Sequence, residues 1–200
     1  MVALGTGLLW FGWYGFNAGS ELRVDGITGL AFLNTDIAAS FAAATWMLFD
    51  WVKYKKPKFT GLLTGAVAGL ATVTPGAGYI STTSAVMIGI ISCCVCYFVV
   101  DSKNKYGIDD ALDVFGVHGV GGILGTILLG IFASKAVNAG GANGLLLGNV
   151  GFFAKELISV VGAGLYAFIF TYVMPIGSYY TAVKSGITGR TCRNNFNFGT

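Results

Sequence analysis

Six long apolar stretches, separated by short polar segments, dominate this chain, and no water-soluble core could bury them all. A helix crossing the hydrocarbon of a bilayer needs about 20 mostly apolar residues. The stretches are residues 2–18, 28–52, 59–73, 83–100, 110–133 and 153–180. The third is short and is expected to tilt or to enter the membrane only part-way. Charged residues make up only 10% of the 200, against 54% hydrophobic, whereas a soluble domain carries about 25% charged residues. The predicted fold class is therefore all-α: a polytopic transmembrane helical bundle of about six spans. The net charge of +3 gives no reason to expect a nucleic-acid partner. No cleavable signal peptide is read here, because the first stretch lacks a basic leader and no A-x-A site follows it.

Basic loops stay on the cytoplasmic side of a membrane. Lys53, Lys55, Lys56 and Lys58 follow the second stretch, Lys103 and Lys105 the fourth, and Lys184, Arg190 and Arg193 the sixth. The opposite loops hold only Arg23, Lys135 and Lys155. This alternation predicts a cytoplasmic C-terminus, with residues 19–27, 74–82 and 134–152 outside.

Glycine is abundant within the stretches. Gly61, Gly65 and Gly69 recur every four residues and so share one helix face. Gly116, Gly119, Gly121, Gly122 and Gly125 crowd the fifth stretch. Small residues at such spacing let backbones approach closely in lipid, which predicts a tightly packed bundle. Cys93, Cys94 and Cys96 lie in the fourth stretch and Cys192 near the end, without metal-ligand spacing or a disulfide pattern; they are expected to act as small apolar fillers.

Ionisable groups at membrane depth are costly and point to function. Asp109, Asp110 and Asp113 open the fifth stretch, and His118, the only histidine, comes next. On an uninterrupted helix, Asp110, Val114, His118 and Gly122 would form one stripe, with His118 about 12 Å beyond Asp110. Small and apolar neighbours would keep the imidazole in a dry, narrow place, where it could exchange hydrogen bonds or pass a proton. Two readings stay open: a working imidazole, or a packed one bonded to a neighbouring helix. The carboxylates also fit a simple role at a helix N-terminus.

The first stretch carries Leu9, Trp13, Phe16, Asn17 and Ser20 on one helix face. Aromatic faces attract cations, and a serine oxygen accepts hydrogen bonds from N–H groups. The same aromatics also fit a belt at the membrane interface.

Three longer motifs carry a family resemblance. WFGWYGFNAGS, residues 10–20, resembles the sixth-helix signature of the ammonium transporter family (Amt, Mep and Rh proteins). From Thr60 onwards, TG-x3-G-x3-GLA and then TPGAGY are similar to that family's eighth helix and the loop after it. DDALDVFGVHGVGG, residues 109–122, closely resembles its tenth-helix signature. The three occur in the family's order.

The resemblance implies the C-terminal half, helices six to eleven, of an eleven-helix inverted-repeat fold that assembles as a homotrimer. Residues 1–183 would form a partial transporter domain, and residues 184–200 a short cytoplasmic tail unlike the family's. It also implies transport of ammonium or ammonia across a plasma membrane. Ser20 would belong to an external recruitment site, and Phe16 to a pair of stacked phenylalanines closing the pore mouth. Trp13 would line the same span. His118 would be one of two hydrogen-bonded pore histidines, Asp110 a buried structural acid, and Leu9 and Val114 apolar lining. Asp113 falls within the same signature.

The family's first five helices, with the second histidine, have no counterpart here. The chain is therefore expected not to conduct alone and to need full-length partner subunits, its start fitting a truncated sequence. A non-conducting sensor, or a subunit of a mixed complex, is the alternative. An intramembrane enzyme using Asp110, Asp113 and His118 is disfavoured, since no serine or H-E-x-x-H pattern accompanies them and one histidine is too few for most metal sites. No cofactor or metal is expected.

Overall fold

The computed structural model describes residues 1–184, and these are helical throughout apart from turns and connections. In chain order come α1 (Val2–Gly19), α2 (Gly26–Tyr54), α3 (Phe59–Val73) and α4 (Thr82–Tyr106), then a π-helical turn (Phe115–Gly119), α5 (Val120–Phe132), a single 3-10 turn (Leu145–Leu147) and α6 (Val150–Lys184). Residues 185–200, with Arg190, Cys192 and Arg193, lie outside the described residues, as do the tail and its predicted departure from the family.

The chain divides into two units, Met1–Ile158 and Ser159–Thr200. In the second, Tyr166 stacks on Phe170 and Phe168 on Tyr172, each pair four residues apart on α6.

Among the described residues, four helices are long and apolar enough by themselves to cross a membrane: α2, α4, the π-turn with α5, and α6 as far as Met174. α3 has only 15 residues, as its short apolar stretch predicted. α1, diluted by glycine, tryptophan, tyrosine and asparagine, is not among the four; it packs against α2 and α3. Phe98, Phe41 and Val52 point outward, as expected where the solvent is lipid.

In the first unit α2 is the central helix, packed against α1, α3 and α4. Its start is fixed by a capping box. The Asp25 carboxylate accepts from the backbone N–H of Ile27 at 2.9 Å and of Thr28 at 3.1 Å, and the Thr28 hydroxyl faces the Asp25 N–H. The Thr28 N–H bond, with further help from Ile27 and the nearby Arg23, holds the Asp25 carboxyl below the ordinary aspartate range.

The glycine stripe of α3 meets α2 at backbone distance. A Cβ added at Gly65 would lie 2.6 Å from Trp46 Cβ, and one at Gly69 would lie 2.5 Å from the Ala38 carbonyl. That is the close approach the four-residue spacing implied. Around this seam sits a core of Ala42, Trp46, Ala68, Cys93, Cys96, Val100 and Val117. Cys93 and Cys96 are thus buried fillers, while Cys94 is exposed.

Several buried polar side chains find hydrogen-bond partners on neighbouring helices and connections, as a dry interior favours. The Ser92 hydroxyl donates to the Ala68 carbonyl at 2.9 Å and lies 2.8 Å from Thr72 Oγ1. Asn34, fully buried on α2, donates to the carbonyls of Ala77 and Ile80, both at 2.9 Å, and so ties the α3–α4 connection to α2.

Candidate functional site

Of the five residues expected on one face of α1, Leu9, Trp13, Phe16 and Ser20 lie along one side, while Asn17 is buried towards α2. Trp13 is the best-held of the four. Its indole N–H donates to Thr74 Oγ1 at 2.8 Å, and the Thr74 hydroxyl donates onward to the Leu70 carbonyl at 2.7 Å. Phe16 meets Trp13 edge-on, with ring centroids 6.3 Å apart. Ser20 donates its hydroxyl to the Phe16 carbonyl at 2.6 Å. With its one proton directed inward, the serine oxygen is left to accept from an incoming N–H donor. Phe16, Ser20, Asn17, Glu21, Pro75 and Tyr79 help line a vestibule of about 320 Å³ at this end of α1.

His118 sits on the π-helical turn, not on a regular α-helix. Its imidazole stacks at 16° on the Trp13 indole, with centroids 6.2 Å apart. α1 and the π-turn therefore bring Trp13, Phe16 and His118 into one continuous aromatic row. Gly116 and Val117 are buried behind the turn against α4, while His118, Val114, Leu9 and Phe16 are exposed. Among the described residues nothing covers this face of the imidazole, in keeping with the expectation that this chain alone closes no pore.

The single stripe from Asp110 to Gly122 is corrected. Residues 110–113 precede the helix and form a turn. Asp110 caps the helical segment after it: one carboxylate oxygen accepts from the Val114 N–H at 2.9 Å and the other from the Phe115 N–H at 3.0 Å. Asp110 therefore acts at a helix N-terminus, one of the roles its position allowed. Asp113 has a left-handed backbone, φ 54°, and pairs with Lys103 at 2.5 Å. Both carboxylates are thus engaged locally, Asp110 by helix N–H groups and Asp113 by Lys103. The π-turn arises where Gly116, Gly119, Gly121 and Gly122 weaken the α-helical preference, and such turns recur at functional sites.

Several residues went unnoticed in the sequence. Thr74 orients Trp13 from the far end of α3. Thr35, on α2, accepts from the already noted Asn17 at 3.0 Å and so fixes α1 to α2. Tyr14 donates to the Asp36 carboxylate at 2.5 Å, and its ring stacks on Phe32. The signal was available: Asn34, Thr35, Asp36 and Asp50 are polar residues inside a long apolar stretch, where polarity is costly.

Comparison with known proteins agrees with this geometry. Residues 1–181 match the sequence profile of the Ammonium Transporter Family. The ammonium transporter of Bacillus subtilis is 45% identical over 172 residues, covering 86% of this chain and 43% of the relative. The crystal structure of Candida albicans Mep2 superposes with a TM-score of 0.83 at 36% identity, covering 88% of this chain and 40% of that one. A solved sensor Amt protein superposes with a TM-score of 0.68 at 34% identity, covering 84% and 43%. Fold and site together define an integral, multi-pass helical membrane protein with an aromatic row along one open wall. The chain belongs to the Ammonium Transporter Family. It spans less than half the length of the curated relatives it matches.

Proposed function

We propose that this chain supplies one wall of a pathway carrying ammonium or ammonia across a membrane, with Ser20 and Phe16 at the entrance and His118 within. The observation that carries the reading is the stacking of Trp13 on His118 directly below the Ser20 vestibule. A cation arriving there meets aromatic faces and an oxygen free to accept its N–H.

Moving a bare ammonium ion through hydrocarbon is far costlier than one aromatic contact can offset. Leaving the proton with an imidazole and passing neutral ammonia along apolar walls such as Leu9 and Val114 avoids that cost. The same walls reject potassium, which has no proton to leave behind. His118 then needs a second proton carrier across the open face, supplied by complementary helices. In this reading those helices close the conduit, the assembly is a homotrimer with full-length subunits in the plasma membrane, and the C-terminus is cytoplasmic. The role is transport rather than enzymatic turnover.

The test is growth on limiting ammonium of a strain lacking ammonium uptake. This chain fused behind the first-half helices of the Bacillus subtilis relative should restore growth, and the chain alone should not. A correctly inserted fusion that moves no methylammonium would overturn the transport reading. Growth rescue by the chain alone would overturn the need for complementary helices. A second reading, a non-conducting ammonium sensor, draws support from the likeness to the sensor Amt protein; it predicts ammonium binding by the inserted fusion without flux.

A further inference from the structure

The end of α2 remote from Ser20 holds a second cavity, of about 230 Å³. Asp50 lies there, about 36 Å along the helix from Gly26 at 1.5 Å per residue, and only 3% of its surface is exposed. One of its oxygens accepts from the Tyr97 hydroxyl at 3.2 Å. The other, Oδ2, is fully enclosed and has no partner. It is directed at the Gly61 wall of the cavity, in the space a side chain at position 61 would fill. A buried carboxylate oxygen left unpaired is costly and calls for a donor or a cation.

The neighbouring charges are already matched. Asp101 pairs with Lys53 and, at 2.9 Å, with Lys105. Asp113 pairs with Lys103. Of the three carboxylates that line the cavity, Asp50 is the one with no ion pair among the described residues. The nearby Lys58 turns its ammonium onto the Tyr54 ring, 3.2 Å from the centroid.

The rest of the lining suits a weakly hydrated cation. Thr60, Thr64 and Asn104 bring oxygen donors, and Trp46, Tyr54 and Tyr97 bring aromatic faces. One unmatched negative charge suits a single positive one, whereas a divalent ion of the calcium type gathers six to eight oxygens, several from carboxylates.

We propose that this cavity binds a compact monovalent cation of ammonium or potassium size through Asp50, with the Lys58 ammonium as a built-in competitor. The site is separate from the outer vestibule and does not depend on the transport reading. It joins the ends of α2, α3 and α4 to Asp113, immediately before the turn that carries His118.

The test uses the whole chain purified in detergent, with thallium(I) nitrate as a heavy-atom quencher at ionic strength held constant with choline nitrate. Trp46 is the reporter, isolated by comparison with Trp46→Phe. Quenching of Trp46 should saturate and be reversed by ammonium, potassium or both; the better competitor identifies the source. Asp50→Asn should weaken binding about tenfold or more. Because that variant can also disturb packing, Lys58→Met provides an independent arm: it should tighten binding several-fold. Non-saturating quenching, failure of both competitors, or unchanged or weaker binding in Lys58→Met would overturn the site and leave the transport reading intact. Ser20→Ala should leave the Trp46 signal in place; its loss would assign the signal to the outer vestibule and overturn the proposal.

Discussion

Trp13 and Thr74 are joined by a 2.8 Å hydrogen bond across two helices that are 61 residues apart in sequence. The bond fixes the indole plane, and the indole plane is the surface on which His118 stacks. Thr74 thereby acts on the imidazole through Trp13 without touching it.

Replacing Thr74 by valine keeps the shape and removes the acceptor. An indole N–H left unpaired in a partly buried place costs about 1–3 kcal/mol. Methylammonium uptake by the fusion to the Bacillus subtilis first-half helices should fall several-fold, and Thr74→Ser should restore it. Equal uptake in the valine and threonine forms would show that the bond does not position the ring.

His118 is exposed on its turn, so its removal should barely disturb the fold. His118→Ala is expected to change the unfolding free energy of the chain in detergent by about 0.5 kcal/mol or less, while abolishing ammonium-linked proton movement by the fusion in proteoliposomes. Retained proton movement would remove the imidazole from the pathway.

The α2–α3 seam tolerates no added carbon at Gly69, where a Cβ would lie 2.5 Å from the Ala38 carbonyl and 2.8 Å from Ala42 Cβ. Gly69→Val should destabilise the bundle by about 1–3 kcal/mol or more, since backbone cannot yield as a flexible side chain does. Denaturation in mixed micelles measures this, and a variant as stable as the parent would contradict the packing.

Asp25 gives a pH prediction. Its carboxyl is held below its unfolded range, chiefly by the Thr28 N–H. Its contribution is therefore full above the unfolded value of about 3.9, and is lost as pH falls through the lower folded value. Asp25→Ala should be less stable than the parent at pH 5 to 8, and the two should converge in stronger acid. A stability gap that persists unchanged in acid would mean that the cap does not work through the ionised carboxylate.

Much of this was legible in the chain itself. The Gly61, Gly65 and Gly69 repeat announced a close helix seam because period and residue size suffice to define such a face. The α1 row from Leu9 to Ser20 was legible for the same reason. The partners reached over long sequence distances were not: nothing near Trp13 points to Thr74, and nothing near Asp50 points to Tyr97. The break before the fifth helix was also hidden. DDALDVFG has an ordinary helical composition, and only the backbone bonds to Asp110 and the left-handed Asp113 reveal that residues 110–113 are a turn. The exposed face of His118 was anticipated from the family resemblance, not from local pattern, because neighbours in sequence do not say what lies across a helix face.

A π-helical turn accommodates one residue more than an α-helical turn does, and His118 rides on it. Relaxing the segment to regular α-helix with every residue kept would turn everything upstream by about 100° around the axis, whereas deleting one residue there would remove the bulge and leave the flanks in register. The ring's aim is thus a matter of residue count rather than residue chemistry. A single insertion between Phe115 and Gly119 should be far more damaging than a substitution at the same positions, and a single deletion less so than an insertion.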